Sequence, residues 1–325
     1  MDNSRGDLRC RICGSSTHPF YSGLYDDRHG FVGEFDVVRC DRCKSCQIEP
    51  PLSPEKLPEV YTNHYPRKTI DSKSIVSSAK YDGTFFQRLK ATLLGNSANA
   101  HYHARSGMRA LDVGCGTGTS LIEWKKMGVD GYGTEYDANV RPLAQSLGLK
   151  IHFGDVQSLN TPNRFFDLIT LNQVLEHIPV PADLLRFLGE KTKVTGEILA
   201  TFPNVEGLSR RVFGKRWINW HVPYHFYFFS RAGIEKIARD AGLEVISMRS
   251  VTPNEWYKLQ ILSFLFPGRP GEDNPTFNPY RTHSRLFLLA RKASTALGYL
   301  LTPVWRLLDL LGLGDNIAVR FRVKS

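Results

Sequence analysis

Apolar residues along this chain recur with two periods, and the changes between them outline its elements. Arg109-Ala110-Leu111-Asp112-Val113 is a short, mostly apolar run that reads as a buried strand. Directly after it, Leu121, Trp124 and Met127 fall at helical spacing, which predicts a helix over 119–127. Strand-like runs return at 131–134, 166–170, 196–204 and 243–248, and residues 316–323 alternate with period two as a last strand. A strand, a glycine turn and a helix make the first unit of a nucleotide-binding half-fold, so the pattern predicts an α/β sheet.

Two segments stand outside that rhythm. Residues 55–107 are mixed and polar, with short helices expected and one strongly amphipathic piece at 84–94. Between 248 and 316 lie about 65 residues where a hairpin needs only a few. In this insertion Leu286, Leu289, Ala293, Ala296, Leu297 and Leu300 share one helical face, and Arg285, Arg291 and Lys292 interrupt the others. Pro303 opens a shorter helix holding Trp305, Leu307, Leu308, Leu310 and Leu311. The charge-free run 293–305 is too short to span a bilayer. Three readings remain: an in-plane helix on an anionic membrane, packing on the core, or the seam of a homodimer.

With 325 residues, 42% of them hydrophobic, the chain holds enough apolar surface for one large domain with an appendage, or two smaller ones. Disorder, collagen and coiled coil are excluded as its main state. Met1 to Arg5 leads into no apolar stretch, which argues against a cleaved secretory signal and for the cytoplasm. The net charge of +10 is local. Residues 205–231 carry five basic and one acidic side chain, residues 256–325 carry ten and four, and the remainder is balanced. Such patches suit anionic lipid or a phosphorylated substrate; their basic residues are few for tracking nucleic acid. Charge serving solubility alone is the plain alternative.

Five of six cysteines precede residue 47. Cys10-x-x-Cys13 and Cys40-x-x-Cys43 are two knuckles, each of which points two thiolates at one ion, and together they offer the closed four-sulfur shell of structural Zn²⁺. The glycine-punctuated stretch between them reads as a hairpin, so residues 1–50 resemble a zinc ribbon, ended by the stiff step Pro50-Pro51-Leu52-Ser53-Pro54. Cys43-x-x-Cys46 is a rival knuckle; Cys40 is preferred because it follows the strand-like 35–39. His18 and His29 are weaker ligand candidates. A disulfide framework is disfavoured by the large cysteine-free remainder.

The glycine loop is Gly114-Cys115-Gly116-Thr117-Gly118. Its G-x-G-x-G spacing, preceded by Asp112, differs from the dinucleotide fingerprint and suits a ligand carrying an ammonium group. Glu135, ending the second strand, stands where an acid accepts both ribose hydroxyls. Residues 111–118 resemble the first motif of class I S-adenosylmethionine-dependent methyltransferases. The similarity continues in order through Gly154-Asp155-Val156, the run 166–170, the turn 172–178 and the strand 196–204. It implies a Rossmann-like seven-stranded sheet whose last strand is antiparallel. It also implies cofactor contacts from Asp112, Gly114, Cys115, Gly116, Gly118, Glu135, Asp155, Val156 and Asn172, with Asp155 meeting the adenine amino group. A four-cysteine module ahead of this fold is similar to the layout of bacterial sugar C-methyltransferases and of methyltransferases of surface-polysaccharide and lipid-linked sugar synthesis.

Methyl transfer needs alignment and sometimes a base. The base candidates are His221, Tyr224 and His225, in the loop after the fifth strand, and His177, which follows the fourth. Sugar C-methyltransferases carry a Tyr and a Glu-His pair in a comparable place; here no Glu precedes His225, which leaves O-methylation open. The bland alternatives are that His225 packs on the next helix, that His177 orients its turn, and that 226–229 is a core strand. The chain therefore divides into a zinc module (1–50), a linker with helices (51–107), a methyltransferase core (108–254), a helical insertion (255–312) and a final core strand (313–325). The expected activity is S-adenosylmethionine-dependent methylation of a sugar, nucleotide- or lipid-linked, at or near the inner membrane face. The rivals are a quinone or other lipid O-methyltransferase, an RNA methyltransferase, and a non-catalytic module that binds zinc and cofactor.

Overall fold

Three antiparallel strands, β1 (Thr17–Leu24), β2 (Phe35–Cys40) and β3 (Cys46–Glu49), form the N-terminal sheet in the order β1-β2-β3. The protein is described by a computed structural model covering residues 8–56, 60, 63–64, 72–96, 99–278 and 283–324. Each cysteine knuckle closes on a left-handed residue, Gly14 at φ 72° and Lys44 at φ 64°. Glycine takes that conformation without steric cost, whereas Lys44 bears the strain of it.

Two helices follow, α1 (Ser72–Ser78) and α2 (Phe85–Leu93). Thr84 caps α2, its hydroxyl accepting from the Gln87 N–H. This is the amphipathic piece expected at 84–94, but of its residues only Ala91 is buried, and Phe85 and Phe86 face outward.

The core then alternates β4 (Arg109–Val113), α3 (Thr119–Lys126), β5 (Asp130–Glu135), α4 (Arg141–Ser146), β6 (Ile151–Phe153), β7 (Phe166–Asn172), α5 (Pro181–Lys191) and β8 (Thr192–Pro203). It continues through α6 (Leu208–Phe213), β9 (Tyr227–Phe228), α7 (Arg231–Asp240) and β10 (Leu243–Val251). Three insertion helices, α8 (Asn254–Leu265), α9 (Arg285–Leu300) and α10 (Thr302–Leu310), precede β11 (Asn316–Val323). Seven strands make the main sheet in the order β10-β11-β8-β7-β4-β5-β6. β4 pairs in parallel with β5 and β7, while β11 lies antiparallel between β8 and β10, as expected. Strand order reverses at β4, and at that switch point the carboxyl ends of β4 and β7 open a crevice. Ala110, Leu111, Val113, Leu168, Ile169 and Leu171 are buried, as parallel strands covered on both faces require.

The N-terminal module is no free appendage. β9 adds to its sheet, pairing antiparallel with β3 through Cys46–Phe228 and Gln47–Tyr227. Residues 226–229 are thus buried, with strand at Tyr227–Phe228, and the sheet they extend is that of the cysteine module. Gly233 of α7 packs so closely here that a Cβ on it would lie 2.0 Å from Ser45 Oγ. In the insertion, α9 turns Phe287, Ser294 and Gly298 inward. Its apolar stripe points the other way, with Leu286 68%, Leu289 64% and Leu300 75% exposed. The insertion helices do pack inward, α9 against α8 through Phe287, Ser294 and Gly298 and α10 against β10 through Asp309, but the apolar stripe of α9 is left outside. Among the described residues, no helix is long and apolar enough to cross a membrane.

Candidate active site

The glycine loop joins β4 to α3 with Gly114, Gly116 and Gly118 at φ 65°, 56° and 79°. A Cβ on Gly114 would lie 2.9 Å from Val174, and one on Gly118 2.6 Å from Leu149. Both conformation and space demand glycine. The Cys115 N–H donates to Thr134 O at 3.0 Å, and its buried sulfur fills the space that a Cβ on Gly133 would occupy. The Gly116 N–H donates to Glu135 Oε2 at 2.7 Å, while Oε1 accepts from the N–H groups of Tyr136 and Asp137. Glu135 therefore draws the loop to the end of β5.

Asp112 is buried beneath the loop, its carboxylate accepting from the Ser120 and Thr170 hydroxyls. Burial pushes its carboxyl up despite these donors. It ties β4 to α3 and β7. Exposed Asp155 accepts from the Gln157 N–H at 2.9 Å, with Val156 buried beside it. Asn172 Oδ1 accepts from the Ala100 N–H at 2.6 Å. The adjoining His101 meets Glu123 at 3.0 Å, a pair that sequence reasoning did not single out. The loop, Glu135, Asp155 and Asn172 thus gather at the carboxyl ends of β4 to β7.

The cysteines resolve their own register. One ligand atom from each of Cys10, Cys13, Cys40 and Cys43 lies within 4.8 Å of the others, with Cys10–Cys43 at 3.7 Å and Cys13–Cys40 at 3.4 Å. The Cys10 thiol holds its proton, and its hydrogen bond pulls Cys43 down to about 5. Cys46 stands outside the cluster, its thiol pushed up to about 12 by burial. His18 pairs with Asp41 at 2.7 Å, and His29 lies among other histidines.

Those histidines form the second half of the site. Glu176 and His177 sit in the single turn Leu175–His177 just after β7. His221, Tyr224 and His225 come from the loop before β9 and are all buried. The rings of His177 and His225 are 4.5 Å apart, those of His221 and His225 4.9 Å, and those of His221 and Tyr224 4.7 Å. The His177 Nδ1–H donates to Tyr224 O at 3.0 Å, and the His225 Nδ1–H to Asn219 O at 2.9 Å. Ser230 caps α7, so His225 is not the cap of that helix. His221 is left-handed at φ 37°, a strained conformation for a non-glycine residue. Burial, aided by Arg28 and neighbouring imidazoles, holds His221 and His225 well below the ordinary histidine range, so both are neutral.

His29, from the N-terminal module, joins 5.5 Å from His221. Its loop is held by Asp26, which accepts from the N–H groups of Arg28, His29 and Phe31. Glu176 is wholly buried and is pushed up to about 8 by desolvation. Glu176, His29 and Asn219 were not among the site residues expected from sequence. Glu176 had a signal, as the neighbour of His177 in a recognisable turn; His29 was weighed only as a weaker ligand beside the cysteines.

A seven-stranded α/β sheet with its last strand antiparallel, and a glycine loop at the switch point, define a Rossmann-like methyltransferase. The chain belongs to the methyltransferase family: residues 81–248 match its Methyltransferase domain. Among curated relatives, the ubiquinone biosynthesis O-methyltransferase of Cupriavidus pinatubonensis is 22% identical over 171 residues, 49% of this chain and 69% of that protein. The protein of the same name from Nitrosococcus oceani is 31% identical over 163 residues, 46% of this chain and 69% of its own. The crystal structure of the [4+2]-cyclase SpnF shares the fold at a TM-score of 0.50 and 17% identity, covering 84% of this chain and 97% of that one. The protein is an S-adenosylmethionine-dependent methyltransferase.

Proposed function

We propose that this methyltransferase acts on oxygen, and that its acceptor is a hydroxyl of a nucleotide- or lipid-linked sugar. The observation that carries the reading is the group of buried, neutral imidazoles, with Tyr224, placed just beyond the carboxyl end of β7. A cluster so rich in polar groups suits a hydroxyl-bearing acceptor, and a neutral imidazole takes the proton that such a hydroxyl must lose. His221 and His225 are the proton acceptors on offer; Tyr224 and His177 orient them.

The cofactor site fits S-adenosylmethionine. Gly114, Gly116 and Gly118, all left-handed, shape a loop whose backbone lies open to a ligand without side chains in the way, and Glu135 stands at the end of β5 to receive the ribose hydroxyls. Asp155 and Val156 flank the adenine position, Asn172 and Cys115 line the approach, and Asp112 holds the loop from beneath. When bound, the cofactor supplies the electrophilic methyl group. The four clustered cysteines fit structural Zn²⁺, since all are sulfurs and none leaves a position for water. The exposed stripe of α9, with basic residues beside it, supports docking on an anionic membrane where a lipid-linked acceptor would be met.

The names of the relatives support oxygen as the acceptor atom, and they favour a quinone precursor as the second reading. Turnover with labelled cofactor against nucleotide-linked sugars, lipid-linked sugars and phenolic quinone precursors tests this. Methylation of a sugar is expected; methylation of phenols alone would replace the sugar reading. His221→Ala should lower kcat by roughly 10²–10⁴-fold while cofactor affinity holds. Glu135→Ala and Asp112→Ala should each weaken cofactor binding by about ten- to a hundredfold in calorimetry.

A further inference from the structure

We propose that Glu176, His177 and His225 bind a divalent transition-metal cation within the imidazole cluster, separate from the four cysteines. One ligand atom from each lies within 4.8 Å of the others, and Glu176 Oε1 is 3.9 Å from His225 Nε2. Metal–ligand bonds of about 2.0–2.2 Å set such atoms roughly 3–3.5 Å apart, so a modest contraction completes the site.

Hydrogen positions argue the same way. Carbonyl oxygens accept and never donate, so the Nδ1 atoms of His177 and His225 must carry protons to bond Tyr224 O and Asn219 O. In the neutral rings this leaves Nε2 as the nitrogen with the lone pair. Fixing one imidazole N–H on a carbonyl, with the other nitrogen directed at the ion, is the usual arrangement around bound metals.

The carboxylate supplies the second, independent observation. Glu176 is wholly buried, and neither of its oxygens has a hydrogen-bond partner. A buried carboxylate is stable only when it meets a proton, a donor or a cation. The Nε2 of His225 lies 3.9 Å from one of those oxygens, and His177 offers a ligand atom within 4.8 Å of both residues. A dication answers all three at once. Two imidazoles and one carboxylate suit Zn²⁺, Fe²⁺ or Mn²⁺, with the remaining positions open to oxygen ligands.

His177 is only half-buried, so the site has an approach beside it. An acceptor oxygen on the cation would be polarised and held, and proton acceptance would pass to His221. That consequence rests on the O-methyltransferase reading; the metal site itself does not.

Full-length protein retaining its cysteine-bound metal is equilibrated with Mn²⁺ and followed by electron paramagnetic resonance. One Mn²⁺ per chain is expected, and Glu176→Gln and His225→Gln should each weaken it by at least tenfold with cofactor binding intact. Pulsed spectra of the wild type, which need no variant to fold, should show two imidazole nitrogen couplings. No bound Mn²⁺, or bound Mn²⁺ without nitrogen coupling, overturns the site. Full methyl transfer in wild type stripped of this ion overturns its catalytic part and leaves the O-methyltransferase reading standing. Nitrogen-coupled Mn²⁺ in a protein that methylates none of the acceptors supports the site and ends that reading instead.

Discussion

Asp315, one residue before β11, shows how a single buried carboxylate reaches the site. It accepts from Trp217 Nε1 at 2.9 Å and Asn219 Nδ2 at 3.0 Å, and Asn219 in turn receives the His225 Nδ1–H. Burial pushes its carboxyl up to about 6, so the folded state binds the proton more tightly than the unfolded chain does. Stability from protonated Asp315 is therefore present at acid pH and lost as pH rises from about 4 through about 6. Relative to Asp315→Asn, the wild type should lose on the order of 2–3 kcal/mol between pH 4 and 7. Urea unfolding of both proteins across that range checks this; parallel profiles would show a carboxylate content to be ionised. The cysteines make a second residue-scale test. Cys43→Ser should lose the zinc, whereas Cys46→Ser should keep one ion per chain, because Cys46 stands outside the cluster. Metal analysis of the two variants decides it, and the reverse outcome would restore the Cys43-x-x-Cys46 knuckle.

The insertion helices carry their chemistry on opposite faces. α9 buries Phe287 against Phe266, with ring centroids 5.1 Å apart, while Leu286, Leu289 and Leu300 project outward. Replacing those three leucines with serine should leave thermal stability near that of wild type, since no packing is lost. The same variant should no longer float with anionic liposomes, and high salt should weaken flotation of the wild type. Phe287→Ala should do the opposite, costing about 3 kcal/mol of stability through a core cavity. A triple variant that floats unchanged would end the membrane reading. One that turns a dimer into a soluble monomer would assign the stripe to a subunit seam. α2 adds Phe85 and Phe86 to the exposed apolar surface, and its C-terminal turn meets α10, where Arg306 donates to Thr92 O.

As a whole the molecule is held by a shared edge. β9 completes the sheet of the cysteine module, and the Asp26 loop of that module brings His29 to His221 and meets Tyr224 at 3.4 Å. The module thus packs against the imidazole cluster, and an ion on the four cysteines would stabilise that contact by holding both knuckles. Withdrawing zinc with a chelator should lower the midpoint of a single cooperative unfolding transition; two separate transitions would show the module to be independent. Gly233→Val tests the seam without touching a metal ligand, because its side chain must displace Ser45. It should destabilise the chain by about 2 kcal/mol or more in thermal melts and expose the linker to limited proteolysis.

Period, spacing and turn chemistry are local, and what depends on them was legible along the chain. Strands β4, β5, β7 and β8, the glycine loop whose φ values only glycine takes freely, the antiparallel last strand and the paired knuckles could all be read before any fold was known. His177, His221, Tyr224 and His225, singled out from the sequence, are brought together in one cluster of rings. Other features waited on packing. Cys40 and Cys46 are equally spaced from Cys43, and only the β2–β3 pairing decides which sulfur faces the cluster. Helical periodicity marks a stripe on α9 but not the direction in which it points, because its small residues, and not its leucines, fit the neighbouring helix. His29 lies 192 positions from His221 and reaches it only through the seam between two sheets. Glu176 became a candidate ligand only when burial took away its water and left its two oxygens without hydrogen-bond partners. A side chain's charge and spacing are properties of the chain, but its solvent and its distant neighbours are properties of the fold.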